Sequence, residues 1–74
     1  MEKAADVRDD IYRLISITFG YATAKQFELS YRDATLPIYT EGARKVLEVM
    51  LGRQKTREKL EEIYTKNQME HSYV

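Results

Sequence analysis

The start of the chain carries the clearest helical pattern. Apolar and small side chains recur there at three- and four-residue spacing, which is typical of one face of a helix. They are Val7, Ile11, Leu14, Ile15 and Thr18. Asp6 precedes this stripe and is predicted to cap the helix, because its carboxylate can accept hydrogen bonds from the free amides of a first turn. Gly20 is predicted to end the helix, since glycine readily adopts the left-handed backbone found at helix ends.

Residues 21–36 fit two different structures. Helical spacing places Phe27 and Tyr31 on one face, whereas the alternation of Phe27, Leu29 and Tyr31 with polar residues suits a strand. The strand would form a hairpin over residues 14–32 and make the fold α+β. We favour the helix, because the hairpin would cut the first helix short and an isolated two-stranded ribbon is only marginally stable.

The second half of the chain predicts two more helices, separated by Gly52. Pro37 disfavours helical geometry at Leu36, so we expect a turn there, with Thr40 capping the third helix and Thr56 capping the fourth. The stripe of the third helix contains Ala43, Val46, Leu47, Met50 and Leu51. The inward positions of the fourth are Leu60, Ile63, Tyr64 and Asn67.

The composition is that of a small folded domain. Of the 74 residues, 43% are hydrophobic and 32% are charged, so we expect one helical domain over residues 1–74, with residues 1–5 and 69–74 as loose termini. A core of this size gives little net stability. The chain has no cysteine for disulfides or thiolate metal sites. We therefore predict a compact all-α four-helix domain that is stabilised by self-association and contains no metal or cofactor.

The sequence contains no predicted membrane or export segment. No apolar run approaches the roughly 20 residues that a bilayer requires, and residues 1–6 lack the basic-then-apolar pattern of a signal peptide. We therefore expect a cytoplasmic protein that makes no contact with a membrane.

Positive and negative charges balance over the whole chain but not locally. Twelve basic and twelve acidic residues give a net charge of zero, which argues against a protein that binds nucleic acid chiefly by neutralising phosphates. Basic side chains are concentrated at the start of the predicted fourth helix, where free amides also favour an anion. They are Arg53, Lys55, Arg57 and Lys59. This basic segment is the candidate site for an anion or for nucleic acid.

The residue pattern does not predict a catalytic site. Adjacent acidic residues such as Asp9 and Asp10 point about 100° apart on a helix, so they do not converge on one substrate. The chain shows no nucleophile beside a base and no glycine-rich phosphate loop. We therefore expect a protein that is not an enzyme.

Tyrosine supplies most of the aromatic side chains and indicates where a partner could bind. The chain has six tyrosines, and Tyr31 and Tyr39 flank the proline turn, where half-exposed rings suit an interface. Our leading hypothesis is a small protein-interaction module, a regulator, adaptor or assembly factor, whose partners are its own copies and another protein. The alternative is a nucleic-acid-binding regulator that uses residues 53–59.

Overall fold

Helices dominate the fold. The computed structural model describes the backbone of residues 3–67 and the side chains of residues 6–67. The helices in this range are α1 Lys3–Phe19, α2 Tyr21–Ser30, α3 Leu36–Leu51 and α4 Arg53–Lys66. No strand occurs between residues 3 and 67. The all-α prediction is confirmed, and the hairpin over residues 14–32 is wrong because the inward face of α2 packs into the core.

Two glycines link the helices in pairs. Gly20 is the single residue between α1 and α2, and Gly52 is the single residue between α3 and α4. Their φ values are 100° and 84°, and their ψ values are 164° and 167°. This backbone region is essentially restricted to glycine. The predicted helix ends at Gly20 and Gly52 are confirmed, and each glycine reverses the chain without a longer loop.

The helices begin earlier than the predicted caps. Asp6 lies in the first turn of α1, because the helix already includes residues 3–5. Thr40 lies inside α3, where its hydroxyl donates a 2.8 Å hydrogen bond to the Leu36 carbonyl. Thr56 lies one turn inside α4 and is fully buried. Residues 3–5 are therefore helical rather than loose, whereas the predicted loose residues 1–2 and 69–74 lie outside the described range.

Pro37 begins a helix rather than preventing one. It lies in the first turn of α3, where its missing N–H removes no intrahelical hydrogen bond. Thr35 precedes this turn in extended geometry, with φ −68° and ψ 163°. The turn predicted around Pro37 is therefore confined to residues 31–35, and α3 is one turn longer at its start than the sequence indicated.

Side-chain contacts define the helix directions. Arg8, early in α1, donates hydrogen bonds to the carbonyl of Tyr31 and its neighbours at the end of α2, so these two helices are antiparallel. Asn67, at the end of α4, donates a 3.0 Å hydrogen bond to Asp10, so α4 also runs against α1. Tyr39, near the start of α3, has its hydroxyl 3.5 Å from the Arg8 carbonyl, so α3 runs parallel to α1.

The core lies where α1 meets the other three helices. Its buried apolar members are Val7, Ile11, Ile15, Ala24, Phe27, Tyr39, Ala43, Leu47, Leu60 and Tyr64. Most of the predicted inward positions belong to this cluster or pack against it. Tyr39 is the main addition, because the sequence interpretation began α3 only at Thr40. Two threonines, Thr40 and Thr56, are the polar side chains buried among them.

Candidate interaction surface

An aromatic and cationic cluster fixes the junction between α2 and α3. The Arg8 guanidinium lies 4.2 Å from the centre of the Tyr39 ring, and the Tyr39 hydroxyl donates a 2.7 Å hydrogen bond to Glu28. Arg8 also donates 2.9 Å hydrogen bonds to the carbonyls of Tyr31 and Ala34. One arginine thus connects α1, the 31–35 turn and α3.

Tyr39 is a core residue and not an exposed contact. Its side chain is fully buried, although the sequence predicted it as an interaction residue. Burial raises the pKa of Tyr39, and the hydrogen bond to Glu28 raises it further. The prediction is wrong for Tyr39 because α3 begins at Leu36, which places Tyr39 four residues before Ala43 on the same inward stripe.

Tyr31, the other predicted contact residue, is half-buried at the edge of the core. Its ring centre lies 4.6 Å from that of Phe27, and the ring covers the backbone of α3 at Gly42. A Cβ at position 42 would overlap the ring atoms of Tyr31, so glycine is required for this close approach. The outer edge of Tyr31 remains accessible, and its contact with a partner stays a prediction.

The outer side of α3 carries exposed apolar and charged side chains. We define the α3 stripe as Ile38, Glu41, Lys45 and Val49. Ile38 is 56% exposed and Val49 is 84% exposed. At 100° per residue the four positions fall within about 80° of one another around the helix. The stripe therefore has apolar side chains at its ends and opposite charges in its middle.

A second charged group borders the α3 stripe. Arg44 donates hydrogen bonds to Glu41 and, at 2.7 Å, to Glu48. The hydrogen bond from Arg44 lowers the pKa of Glu41. Lys45, by contrast, makes no ion pair with the residues that the structure describes. The stripe thus presents one exposed lysine that makes no ion pair within that part of the chain.

The basic segment does not form one patch. Arg53 and Arg57 are one turn apart on one side of α4, and Lys55 and Lys59 are one turn apart on another. The two pairs lie roughly 160° from each other around the helix axis. All four belong to the first two turns, as predicted, but a single phosphate could not contact both sides of α4. Binding of an anion or nucleic acid stays a prediction.

A groove between α1 and α4 is an alternative surface. Its apolar lining residues are Leu14, Ile17 and Ile63, and Ile17 is 83% exposed. Its rim contains Asp10, Arg13, Lys59, Glu62 and Lys66. These rim charges have both signs, and Lys66 lies 3.5 Å from Asp10 within the same chain. The groove therefore does not select a partner by charge.

The described part of the chain shows neither a group of metal-binding side chains nor a helix that could cross a membrane. Between residues 6 and 67, no three histidine, aspartate or glutamate side chains come together in a group able to hold a metal ion. None of the helices in the same range combines the length and the apolar character needed to cross a bilayer. The surfaces above are therefore the features from which function can be argued.

Similarity to known proteins adds no functional information. No protein-family model, curated protein or solved structure is significantly similar to this chain. The sequence missed Ile38, Lys45 and Val49 as surface residues, although the inward stripe through Ala43 and Leu47 already leaves these positions on the opposite side of α3.

Proposed function

We propose that this chain is a small protein-interaction module that acts as a homo-oligomer and serves as a regulator, adaptor or assembly factor. The observation that supports this function is the apolar character of α3 on two sides. Its inner side buries Tyr39, Ala43 and Leu47, and its outer side exposes Ile38 and Val49. Apolar side chains that are exposed beside polar ones are typical of protein–protein contact surfaces. The outer side of α3 therefore fits burial against a second protein.

The size of the domain favours another copy as the first partner. The described side chains form a core of ten buried apolar residues, which is small, and the sequence has no cysteine that could add a disulfide. Apolar surface removed from water contributes roughly 25 cal/mol per Å². Covering the outer side of α3 would therefore add stability that the isolated fold lacks. We further propose that the protein acts in the cytoplasm, as the sequence analysis predicts.

Nucleic-acid binding has less support than protein binding. The chain has no net charge, and the basic pairs Arg53 with Arg57 and Lys55 with Lys59 lie on different sides of α4. A protein held mainly by phosphates needs several cations that face the same groove or strand. We do not propose an enzymatic activity.

Sedimentation equilibrium tests the proposed function. Between about 10 µM and about 1 mM, the mass should rise above the 8.7 kDa of one chain, and the melting temperature should rise with concentration because assembly stabilises the folded state. A monomer mass and a constant melting temperature over the whole range would refute self-association.

A duplex-DNA titration tests the alternative with the same preparation. We expect binding to disappear at physiological salt, and the Arg57→Ala/Lys59→Ala double variant should retain the fold and the self-association of the wild type. Lys25→Ala, which removes an exposed lysine from α2, is the matched control. Duplex binding that persists at physiological salt and is lost in the double variant alone would favour the nucleic-acid function instead.

A further inference from the structure

The α3 stripe is complementary to its own reversed copy. Turning the helix end for end exchanges Ile38 with Val49 and Glu41 with Lys45, because both pairs are centred near residue 43. Two stripes packed antiparallel therefore bring apolar side chains together at each end and opposite charges together in the middle. We propose that the chain forms a two-fold dimer through antiparallel α3 helices, an inference that rests on the proposed function.

Charge selects the antiparallel orientation over the parallel one. In a parallel pair, Lys45 would face Lys45 of the second copy, and Glu41 would face Glu41. Like charges that meet at an interface oppose association. In the antiparallel pair, each Lys45 faces Glu41 of the second copy. The two-fold axis makes both contacts identical, as in other isologous interfaces.

The groups in the middle of the stripe can make this contact without losing their own. Lys45 is exposed and has no ion pair with the side chains of residues 6–67. Glu41 already accepts hydrogen bonds from Arg44 through both carboxylate oxygens. A carboxylate has about four lone-pair sites, so Glu41 can accept Lys45 of a second copy as well.

Apolar burial and charge have different roles in the dimer. Exposed ion pairs contribute little affinity, so the two Lys45–Glu41 contacts chiefly define register and orientation. Ile38 is 56% exposed and Val49 is 84% exposed in the single chain. In the dimer, Ile38 of each copy would be covered by Val49 of the other copy. These two apolar contacts supply the affinity.

Charge reversal tests the interface. Lys45→Glu and Glu41→Lys should each raise the dimer Kd at least about tenfold, because each variant creates two like-charge contacts per dimer. An equimolar mixture of the two variants should recover association, since both contacts then join opposite charges. Lys55→Glu, a charge reversal on α4 away from the stripe, should leave Kd unchanged. Circular dichroism of every variant checks that the helices are retained.

Cysteine cross-linking tests the orientation. The chain has no natural cysteine, so Ile38→Cys and Val49→Cys introduce single reporters in chains that carry different tags. In the antiparallel dimer, position 38 of one copy lies beside position 49 of the other, whereas two copies of position 38 lie about 16 Å apart along the axis. A disulfide requires Cα atoms within about 7 Å. Oxidation should therefore link the mixed chains and leave each variant alone uncrosslinked.

The outcomes separate this inference from the proposed function. If the wild type remains monomeric, both fail. If the wild type associates and Lys45→Glu associates equally well, the proposed function stands and the α3 interface is wrong. If Val49→Cys alone forms a disulfide, the helices are parallel and the antiparallel arrangement is wrong. Recovery in the charge-reversed mixture together with a mixed disulfide supports the inference.

Discussion

Replacing Thr56 with valine should stabilise the domain, because its hydroxyl is buried without compensation. Thr56 is fully buried in α4, and its Oγ1 makes no hydrogen bond to any residue that the structure describes. A buried polar group without a partner costs about 1–3 kcal/mol. Valine substitutes a methyl group for the hydroxyl, and the two residues have similar helix propensities. We expect the free energy of unfolding to rise by about 1–2 kcal/mol.

Thr40 provides a matched control for this substitution. It is also buried, at 4% exposure, but its hydroxyl donates a 2.8 Å hydrogen bond to the Leu36 carbonyl. Thr40→Val removes that bond and should lower the free energy of unfolding by about 0.5–1.5 kcal/mol. The same chemical change should thus have opposite signs at two buried positions in neighbouring helices.

Urea and thermal unfolding, followed by circular dichroism, measure both changes. In a domain of this size, each kcal/mol shifts the melting temperature by about 4–8 °C. All variants must be compared at one protein concentration, since self-association would also change the melting temperature. If Thr56→Val destabilises the domain as much as Thr40→Val does, the Thr56 hydroxyl is hydrogen-bonded and the reasoning is refuted.

Three further predictions concern the junctions and the polar contacts. Gly52→Ala should lower the free energy of unfolding in urea by about 1–3 kcal/mol, because Gly52 has φ 84°. D-alanine introduced at this position by chemical synthesis should restore most of that stability. Equal effects of both enantiomers would contradict the backbone argument. Arg8→Lys should lower the free energy of unfolding by about 1–2 kcal/mol, since lysine cannot reproduce the two hydrogen bonds of the guanidinium. Arg13→Lys, on the exposed side of α1, is the control and should change it by less than about 0.5 kcal/mol. Similar thermal unfolding of the two variants would refute a specific role for Arg8. Asp10→Asn should lower the free energy of unfolding by less than about 1 kcal/mol at neutral pH and should not change it at strongly acidic pH. The hydrogen bond from Asn67 lowers the pKa of Asp10 in the folded state. The ionised carboxylate therefore stabilises the fold above the unfolded-state pKa of about 3.9, and this contribution is lost as pH falls through the lower folded-state pKa. A stability difference between wild type and Asp10→Asn that does not depend on pH would exclude this contribution.

Helix ends could be predicted from the sequence, whereas helix starts could not. Gly20 and Gly52 are local signals, because a positive φ restricts the residue type whatever surrounds it. The predicted caps, Asp6, Thr40 and Thr56, all lie inside their helices. A side-chain oxygen is only one way to satisfy the first amides, and extended backbone or a glycine junction allows a helix to begin a turn earlier.

The burial of Tyr39 depended on both local and distant information. The four-residue spacing of Tyr39, Ala43 and Leu47 predicts that Tyr39 is buried, provided that α3 begins as early as Leu36. The sequence does not predict the contact between Tyr39 and Arg8, because these residues are 31 positions apart. The exposed side of α3 could likewise be drawn from periodicity alone, but only the packing shows that α1 and α4 leave it uncovered.

The single-glycine junctions have a consequence for folding kinetics. Because Gly20 places α2 beside α1 and Gly52 places α4 beside α3, much of the packing can form after closing very short loops, which is typical of chains that fold within microseconds to milliseconds. The contact between Asp10 and Asn67 spans 57 residues and carries the largest loop-closure entropy. We expect the α1–α2 and α3–α4 pairs to form first, and the joining of α4 to α1 to complete the folded state.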